Sequence, residues 1–278
     1  MERKVLLSAV FGAGVLAYAC GGGGSVPSAT VGAYITDASG NYTSVNATIR
    51  EVSLTNSVSG ETCVLFSFEN GITTNLVDLQ NSMRLLDMTT CPVGTYNRIK
   101  VVIDRYVSVS NSTQSNTCTI NLHRMMAMND EYANVSCDNE TCTVEVLVED
   151  GGLTIFEGRV NEVAIDFELT DSDGDGMETE IRIDNLAGNC TIAFEIEEIE
   201  PEEMEEHMKD KKYEIEGTVV DIGNNTMSLQ LEHGMTVSVD ISGINATGVS
   251  IDKEVEVRCS SFDLNTVVCV ASEIEIES

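Results

Sequence analysis

Hydrophobic and polar residues alternate with a period of two along much of the chain, which is the pattern of half-buried β-strands. The clearest runs are residues 163–169 and 192–197, where large apolar side chains alternate with Ala, Asp and Glu. Further short runs occur at 30–36, 63–68, 98–103, 117–122 and 143–148. Clusters of Gly, Asn, Ser and Asp separate the runs and are typical of turns. The spacing predicts an all-β fold in which residues 30–200 form an antiparallel β-sandwich of the immunoglobulin-like or transthyretin-like kind.

Two interruptions of the alternation predict local irregularities. The apolar residues at 45–49 share one phase and those at 52–54 share the other. Such a slip within one continuous strand predicts a β-bulge near Arg50 and Glu51. Residues 75–89 are the one stretch before residue 195 in which a short helix is expected.

The last 66 residues form a second pattern of short strands. Alternating runs lie at 213–219, 227–231, 237–241, 255–259 and 274–276, with Asn224-Asn225 as a hairpin turn between the first two. Five or six strands in so short a stretch predict a small closed or partly open barrel over residues 213–278.

An acidic stretch separates the two patterns. Residues 195–212 carry nine acids against three Lys, and Pro201 opens a segment with acids first and bases last. This order suits the dipole of a short surface helix, so residues 201–212 are predicted to be a helical linker. The same residues are also consistent with the solvated face of a helix that has no linking role.

The charge balance excludes two classes of partner. Asp and Glu number 46 against 15 Lys and Arg, which gives a formal net charge of −31. Every phosphate contact would meet a repelling field, so a nucleic-acid binder or a general binder of anionic membranes is not expected. The hydrophobic content of 42% is that of a globular chain rather than a disordered one.

The first residues resemble a bacterial export signal. Arg3 and Lys4 precede an apolar run at 5–19 that is too short for a transmembrane helix. Ala17-Tyr18-Ala19-Cys20 resembles a lipobox, with Ala where Leu is usual, and a run of four Gly and Ser25 follows. We therefore expect residues 1–19 to be a signal peptide, Cys20 to be lipidated and residues 20–29 to be a flexible tether. Cleavage by an ordinary signal peptidase without lipidation is the alternative.

The cysteine count agrees with export, because disulfides persist outside the cytoplasm. Of nine Cys, removing Cys20 leaves an even number. Cys259 and Cys269 alone lie beyond the acidic stretch, so we expect them to pair across a hairpin. The connectivity of the other six stays open; they are Cys63, Cys91, Cys118, Cys137, Cys142 and Cys190. A zinc site is a weaker interpretation, since no second ligand pair matches the spacing of Cys137 and Cys142.

Several motifs resemble an uncharacterised family of bacterial lipoproteins, the domain of unknown function 4382. They are Thr36-Asp37-Ala38, Glu51-Val52, Asp78-Leu79, Cys91-Pro92-Val93-Gly94-Thr95-Tyr96 with Arg98-Ile99, and Asp166-Phe167-Glu168. The family usually has Leu where Cys91 stands and Asp where Glu168 stands. The resemblance covers residues 31–168, with an expected extension to about 199. Residues 213–278 resemble the small β domain of unknown function 5666 through Glu216-Gly217-Thr218-Val219 and Val255-Glu256-Val257. Both resemblances imply surface lipoproteins of β architecture, and neither supplies an activity.

One acidic loop has the spacing of a cation site. Asp171, Asp173 and Asp175 alternate before Gly176, as in the first half of a calcium loop. The twelfth position is Arg182 instead of the bidentate Glu of an EF-hand, so an acidic turn without an ion is the alternative. Copper is a further alternative because each of the three His has Met neighbours, although core packing also explains them; the His are His123, His207 and His233.

Catalytic motifs are missing from the sequence: it contains no Gly-x-Ser-x-Gly, His-Glu-x-x-His, phosphate-loop or haem-attachment pattern. We therefore expect a non-catalytic binding or scaffold protein of the cell envelope, on the outer membrane and facing the periplasm or the exterior. Its expected partners are the membrane, through the lipid, and an extracellular protein or glycan. The alternatives are an exported metal-binding protein and an enzyme without a recognisable motif.

Overall fold

The computed structural model describes residues 27–37, 42–123, 132–148, 151–168, 182–193, 195–198, 212–232 and 234–276. Within these ranges the chain is built almost entirely from strands, so the prediction of an all-β fold is confirmed. The first β unit, residues 28–198, contains β1 Ser28–Asp37, β2 Ser44–Thr55, β3 Thr62–Asn75, β4 Ser82–Pro92, β5 Gly94–Tyr96, β6 Arg98–Asp104, β7 Tyr106–Ser110, β8 Ser115–Ile120, β9 Tyr132–Cys137, β10 Thr141–Leu147, β11 Leu153–Ile155, β12 Asn161–Glu168, β13 Arg182–Asp184, β14 Thr191–Ala193 and β15 Glu195–Glu198. The second β unit contains β16 Lys212–Ile222, β17 Thr226–Gln230, β18 Thr236–Asp240, β19 Glu254–Asp263 and β20 Val268–Ile276.

Two sheets of the first β unit share one hydrophobic core. One runs in the order β15-β12-β1-β4, and the other in the order β13-β14-β8-β7-β2-β6-β10-β9, with β3 also paired to β2. Alternate residues of both sheets are buried in this core, for example Val31 and Ile35 of β1 and Val101 and Ile103 of β6. The period of two in the sequence therefore identifies the core-facing positions.

The strands of the second β unit pair in a closed cycle. Their order is β16-β17-β18-β20-β19, and β19 pairs again with β16. The turn from β16 to β17 contains Asn224 and Asn225, where the sequence predicts it, and the Gly223 amide donates to the Thr226 carbonyl at 2.7 Å. A second hydrophobic core fills this unit.

A short parallel pairing joins the two units. Residues Lys212, Tyr213 and Glu214 of β16 lie beside Ser82, Met83 and Arg84 of β4. The sheet that contains β1 and β4 consequently continues into the second unit. Its outer face contributes Tyr34, Met83 and Leu85 to the second core, so β4 is buried on both faces.

Two local predictions have opposite outcomes. The β-bulge is confirmed, because the register of β2 against both β3 and β6 shifts between Ile49 and Glu51. The helix predicted over residues 75–89 is wrong for most of its length. Only Leu76–Asn81 is helical, as a 3-10 helix, and Ser82–Pro92 is strand β4. Because both faces of β4 are buried, its sequence lacks the polar alternation that marks a half-buried strand.

Candidate functional site

Most of the residues that the sequence nominates for function lie outside the described ranges. These are Cys20, the loop with Asp171, Asp173 and Asp175, His207 and His233, and residues 201–211 of the expected linker. Calcium binding and lipidation therefore stay predictions. Within the described ranges no group of three or more His, Cys, Asp and Glu side chains could hold a metal ion.

The eight cysteines after Cys20 form four disulfides, which confirms that the protein is disulfide-bonded. Cys63 of β3 joins Cys91 of β4 and so links the two sheets of the first unit. The other pairs are Cys118–Cys190, Cys137–Cys142 and Cys259–Cys269. The last joins β19 to β20 and is the pair that the sequence nominates.

A cluster of charged side chains lies where β4 meets β16, and we call it the junction cluster. Its members are Ser82, Arg84, Glu214, Glu216, Glu256, Arg258 and Glu273. The Ser82 hydroxyl donates to Glu214 Oε2 at 3.1 Å, and Arg84 Nη2 lies 2.5 Å from Glu216 Oε2. Both contacts cross from the first β unit to the second.

Arg258 makes the remaining contacts of the junction cluster. Its guanidinium lies 3.8 Å from Glu214 Oε2, 3.1 Å from Glu256 Oε1 and 3.3 Å from Glu273 Oε2. The contact with Glu256 Oε1 is ionic and lacks hydrogen-bond geometry. One guanidinium therefore faces three carboxylates.

Burial and like charge perturb the acids of the junction cluster. Glu214 is buried, and this burial raises the pKa of its carboxyl, while the hydrogen bond from Ser82 and the nearby guanidinium groups of Arg84 and Arg258 oppose the shift. Burial, and then repulsion from Glu214, raises the pKa of Glu256 to about 7, against the attraction of Arg258. Ionisation of these two carboxyls near neutral pH therefore lowers the stability of the folded state.

An aromatic group lies at the same junction. The ring centroids of Tyr34 and Tyr213 are 5.7 Å apart, and those of Tyr213 and Phe262 are 5.9 Å apart. The Tyr34 hydroxyl is buried without a hydrogen-bond partner among the described residues. Burial raises the pKa of Tyr213 to about 12, with a smaller contribution from Glu162. This contact adds apolar area to the charged contacts that join the two units.

A shallow cleft of about 320 Å³ opens beside the junction cluster. Glu216, Gly217, Thr218, Gln230, Leu231, Glu232, Gly234 and Glu254 line it. Arg84 already contacts Glu216, the acid that the cleft shares with the junction cluster. The arrangement of these charges is suited to holding two strands together.

The junction cluster could not be found from the sequence. Alternation along residues 213–219 correctly places Ile215 and Val219 in a core and Glu214 on the other face of the strand. That face is covered because β16 pairs with a strand 130 residues earlier, Lys212 lying opposite Ser82. No local pattern reports so distant a pairing.

Loops at residues 56–61 and 92–97 surround the point where β1 begins, and we call this region the tether end after the tether predicted at residues 20–29. The Val93 amide donates to the Pro27 carbonyl at 2.8 Å. The Tyr96 hydroxyl donates to the Pro92 carbonyl at 2.9 Å and fixes the turn between β4 and β5. The sequence predicts this turn from Pro92 and Gly94, and Tyr96 ends β5 as a buried residue.

The β2–β3 turn is attached to the same end. The Asn56 amide group donates to the Thr95 carbonyl at 2.8 Å, and the Ser57 amide donates to Asn97 Oδ1 at 2.8 Å. Side-chain hydrogen bonds therefore tie the loops of the tether end to one another.

Comparison with protein families gives one match. A family described only as a domain of unknown function, DUF4382, matches residues 28–181. The match covers the first β unit from β1 through the acidic stretch at residues 171–176 and ends just before β13, and no solved structure matches the chain. No helix of the described residues is long and apolar enough to cross a membrane.

Proposed function

Since the chain belongs to the DUF4382 family, a family of unknown function that matches residues 28–181, we propose that it is an exported, lipid-anchored binding or scaffold protein. The lipid is attached to Cys20, and residues 1–19 are removed as the signal peptide. The β units stand on the outer side of a cell-envelope membrane and bind an extracellular protein or a glycan.

The number and pairing of the cysteines are the main support for this proposal. Four disulfides account for eight of the nine cysteines. The ninth is Cys20, which stands at the lipobox-like sequence. Four disulfides in one chain are typical of an oxidising compartment, so they support export. A lipidated cysteine would explain why the number of cysteines is odd.

A non-catalytic role is consistent with the use of the buried charges. The carboxylates of Glu214 and Glu216 each lie near a guanidinium of a neighbouring strand, and these contacts hold β16 against β19 and β4. Glu256 contacts Arg258 of its own strand. A general acid or base must be able to reach a substrate proton. Ion pairs that connect two strands serve a structural purpose instead.

The finer architecture is part of the proposal. Two sheets around one core, linked by Cys63–Cys91, support an immunoglobulin-like or transthyretin-like sandwich for the first unit. The closed cycle of pairings supports a small barrel for the second unit. The resemblance of residues 213–278 to the domain of unknown function 5666 agrees with that assignment.

The experiment that tests the proposal compares two single substitutions in the full-length chain. Cys20→Ser removes the acceptor of the lipid, and Ser25→Ala makes an equally small change in the tether. The first variant should move from the membrane fraction to the soluble exported fraction, and the second should stay with the membrane. Retention of Cys20→Ser in the membrane fraction would overturn the lipid anchor.

Calcium binding at Asp171, Asp173 and Asp175 is the alternative function. Strand β12 ends shortly before these residues and strand β13 begins shortly after them. Calcium binding does not compete with the anchor, since one protein can carry both. The thermal stability of the natural chain and of the Asp173→Asn, Asp175→Asn variant with and without calcium tests this alternative.

A further inference from the structure

The exposed apolar side chains of the first β unit are concentrated at the tether end. Five large hydrophobic residues are exposed among its described residues: Val58, Val64, Tyr106, Leu147 and Phe156. All except Tyr106 lie at or near the end where β1 begins. Val58 is 92% exposed and Phe156 is 46% exposed. Single exposed apolar residues need no explanation, but a concentration at one end of a unit does.

Strand register and hydrogen bonds place these residues together. Leu147 lies opposite Arg98, and Arg98 lies opposite Thr55, the last residue before the turn that carries Val58. Val64 lies two rungs from Thr55, opposite Ser53. The Asn97 side chain accepts from the Ser57 amide in that same turn.

Phe156 reaches the same end from the other side. It directly follows Ile155, which pairs with Gly94 of β5. The Asn161 side chain holds the following turn, accepting from the Phe156 amide at 2.9 Å and donating to the Phe156 carbonyl at 3.1 Å. The Arg159 guanidinium carbon lies 3.8 Å from the centroid of the Phe156 ring. An aromatic ring with a cation over it suits the boundary between acyl chains and headgroups.

The length of the tether brings this end close to the anchor. Only residues 21–26 separate Cys20 from Pro27, and the Pro27 carbonyl accepts a hydrogen bond from the Val93 amide of the tether end. At about 3.5 Å per residue, the seven steps from Cys20 to Pro27 span at most about 25 Å. Strand β1 then runs away for ten residues, about 33 Å, to the opposite end of the unit. If Cys20 carries a lipid, the tether end is the end near the bilayer.

We propose that the tether end, through Val58, Leu147, Phe156 and Arg159, docks onto the headgroup surface of the membrane that holds the lipid anchor. The inference rests on the proposed lipidation of Cys20. Glu61 and Glu157 lie in the same loops, and Glu149 and Asp150 follow β10 in the sequence. The surface therefore fits zwitterionic headgroups rather than an anionic bilayer.

The test uses the absence of Trp from the natural sequence. Phe156→Trp and Val58→Trp each place one fluorophore at the tether end, and Phe156→Trp retains an aromatic ring for Arg159. Ser112→Trp is the matched control, because Ser112 is exposed in the β7–β8 turn at the opposite end. Each lipidated variant, in its mature form beginning at Cys20, is reconstituted into phosphatidylcholine vesicles with bromine at a shallow or a deep position of the acyl chain.

Docking predicts emission at shorter wavelength and strong quenching by shallow bromine for Trp at 156 and 58, with neither effect for Trp at 112. Shallow bromine should quench more than deep bromine, since interfacial side chains reach about 5–10 Å into the bilayer. Two results would overturn the docking surface. One is vesicle-bound protein without quenching at 156 and 58, which leaves the lipid anchor intact. The other is a blue shift without quenching that grows with protein concentration, which would assign the surface to a second copy of the chain. Failure of every variant to bind vesicles would overturn both the anchor and the docking surface.

Discussion

Removing the charge of Glu256 should stabilise the protein at alkaline pH and leave it unchanged in acid. The carboxyl is held among Glu214, Glu275, Asp78 and the cation Arg258, and its side chain is 21% exposed. Burial and the neighbouring acids raise its pKa from 4.5 to about 7. A carboxyl with a raised pKa does not lower the free energy of unfolding at a pH where it is protonated in both the folded and the unfolded state. The cost therefore appears above about pH 4.5, grows up to about pH 7 and stays constant at higher pH.

The size of the effect follows from the two pKa values. The difference between 4.5 and about 7 corresponds to about 3 kcal/mol at 1.36 kcal/mol per pKa unit. Solvent screening at a partly exposed side chain reduces this to about 1–2 kcal/mol. Glu256→Gln has nearly the same shape and lacks the charge. At pH 8 its free energy of unfolding should exceed that of the natural chain by this amount.

Urea denaturation between pH 4 and pH 8.5, with the disulfides intact, measures the difference directly. Glu254→Gln is the matched control, since Glu254 lies exposed on the same strand; its effect should vary little with pH. A stability difference for Glu256→Gln that is equal at pH 4 and pH 8, or a variant less stable at pH 8, would refute the argument. An equal difference would mean that the ion pair with Arg258 cancels the effect of burial on the charge, and a less stable variant at pH 8 would mean that the ion pair outweighs it.

Three other predictions concern two disulfides, a closely packed glycine and the acidic loop. Replacing both Cys63 and Cys91 by Ser should lower the free energy of unfolding by about 3.6 kcal/mol, and replacing Cys259 and Cys269 should lower it by about 2.7 kcal/mol. The losses differ because the stabilisation grows with the length of the closed loop, and the two pairs are separated by 28 and 10 residues. Equal losses in urea denaturation would contradict this chain-entropy model. Gly71→Ala should destabilise the protein by about 1–3 kcal/mol more than Gly158→Ala. Both glycines have positive φ, but a new Cβ at position 71 would lie 2.6 Å from Thr48 Cγ2, whereas a new Cβ at position 158 would meet nothing within 4 Å. Equal melting temperatures of the two variants would refute the clash. With millimolar affinity, 10 mM calcium should stabilise the natural chain by about 1 kcal/mol. Asp173→Asn combined with Asp175→Asn should abolish that gain, and an equal response of the melting temperature in both proteins would exclude the site.

The sequence predicts local structure well wherever one face of a strand is exposed. Ile99, Val101 and Ile103 of β6 alternate with partly exposed residues and are buried, and the phase slip at Arg50 and Glu51 is a bulge. The same reasoning fails at β4, where Met83 and Leu85 face one core and Leu86 faces the other. A strand buried on both faces lacks alternating polar residues, so its sequence pattern cannot be distinguished from that of a short buried helix.

Non-local pairing explains why the junction cluster was not predicted. Glu214 and Glu256 stand at positions that alternation assigns to a solvated face, and their burial depends on how β16 lies between β4 and β19. The cysteines behave differently. Cys259 and Cys269 are nominated by their place in the chain alone, while the pairing of Cys63 with Cys91 requires β3 and β4 to lie in facing sheets.

The mass of the mature N-terminal peptide tests the central claim most directly. The account predicts that the exported protein begins at Cys20 and that this residue carries acyl chains, which add their mass to the peptide that ends in the Gly-rich tether. Full-length protein from the membrane fraction, digested and analysed by mass spectrometry, supplies the measurement. A peptide that begins at Cys20 without a lipid, or a chain that retains residues 1–19, would contradict the lipid-anchored function.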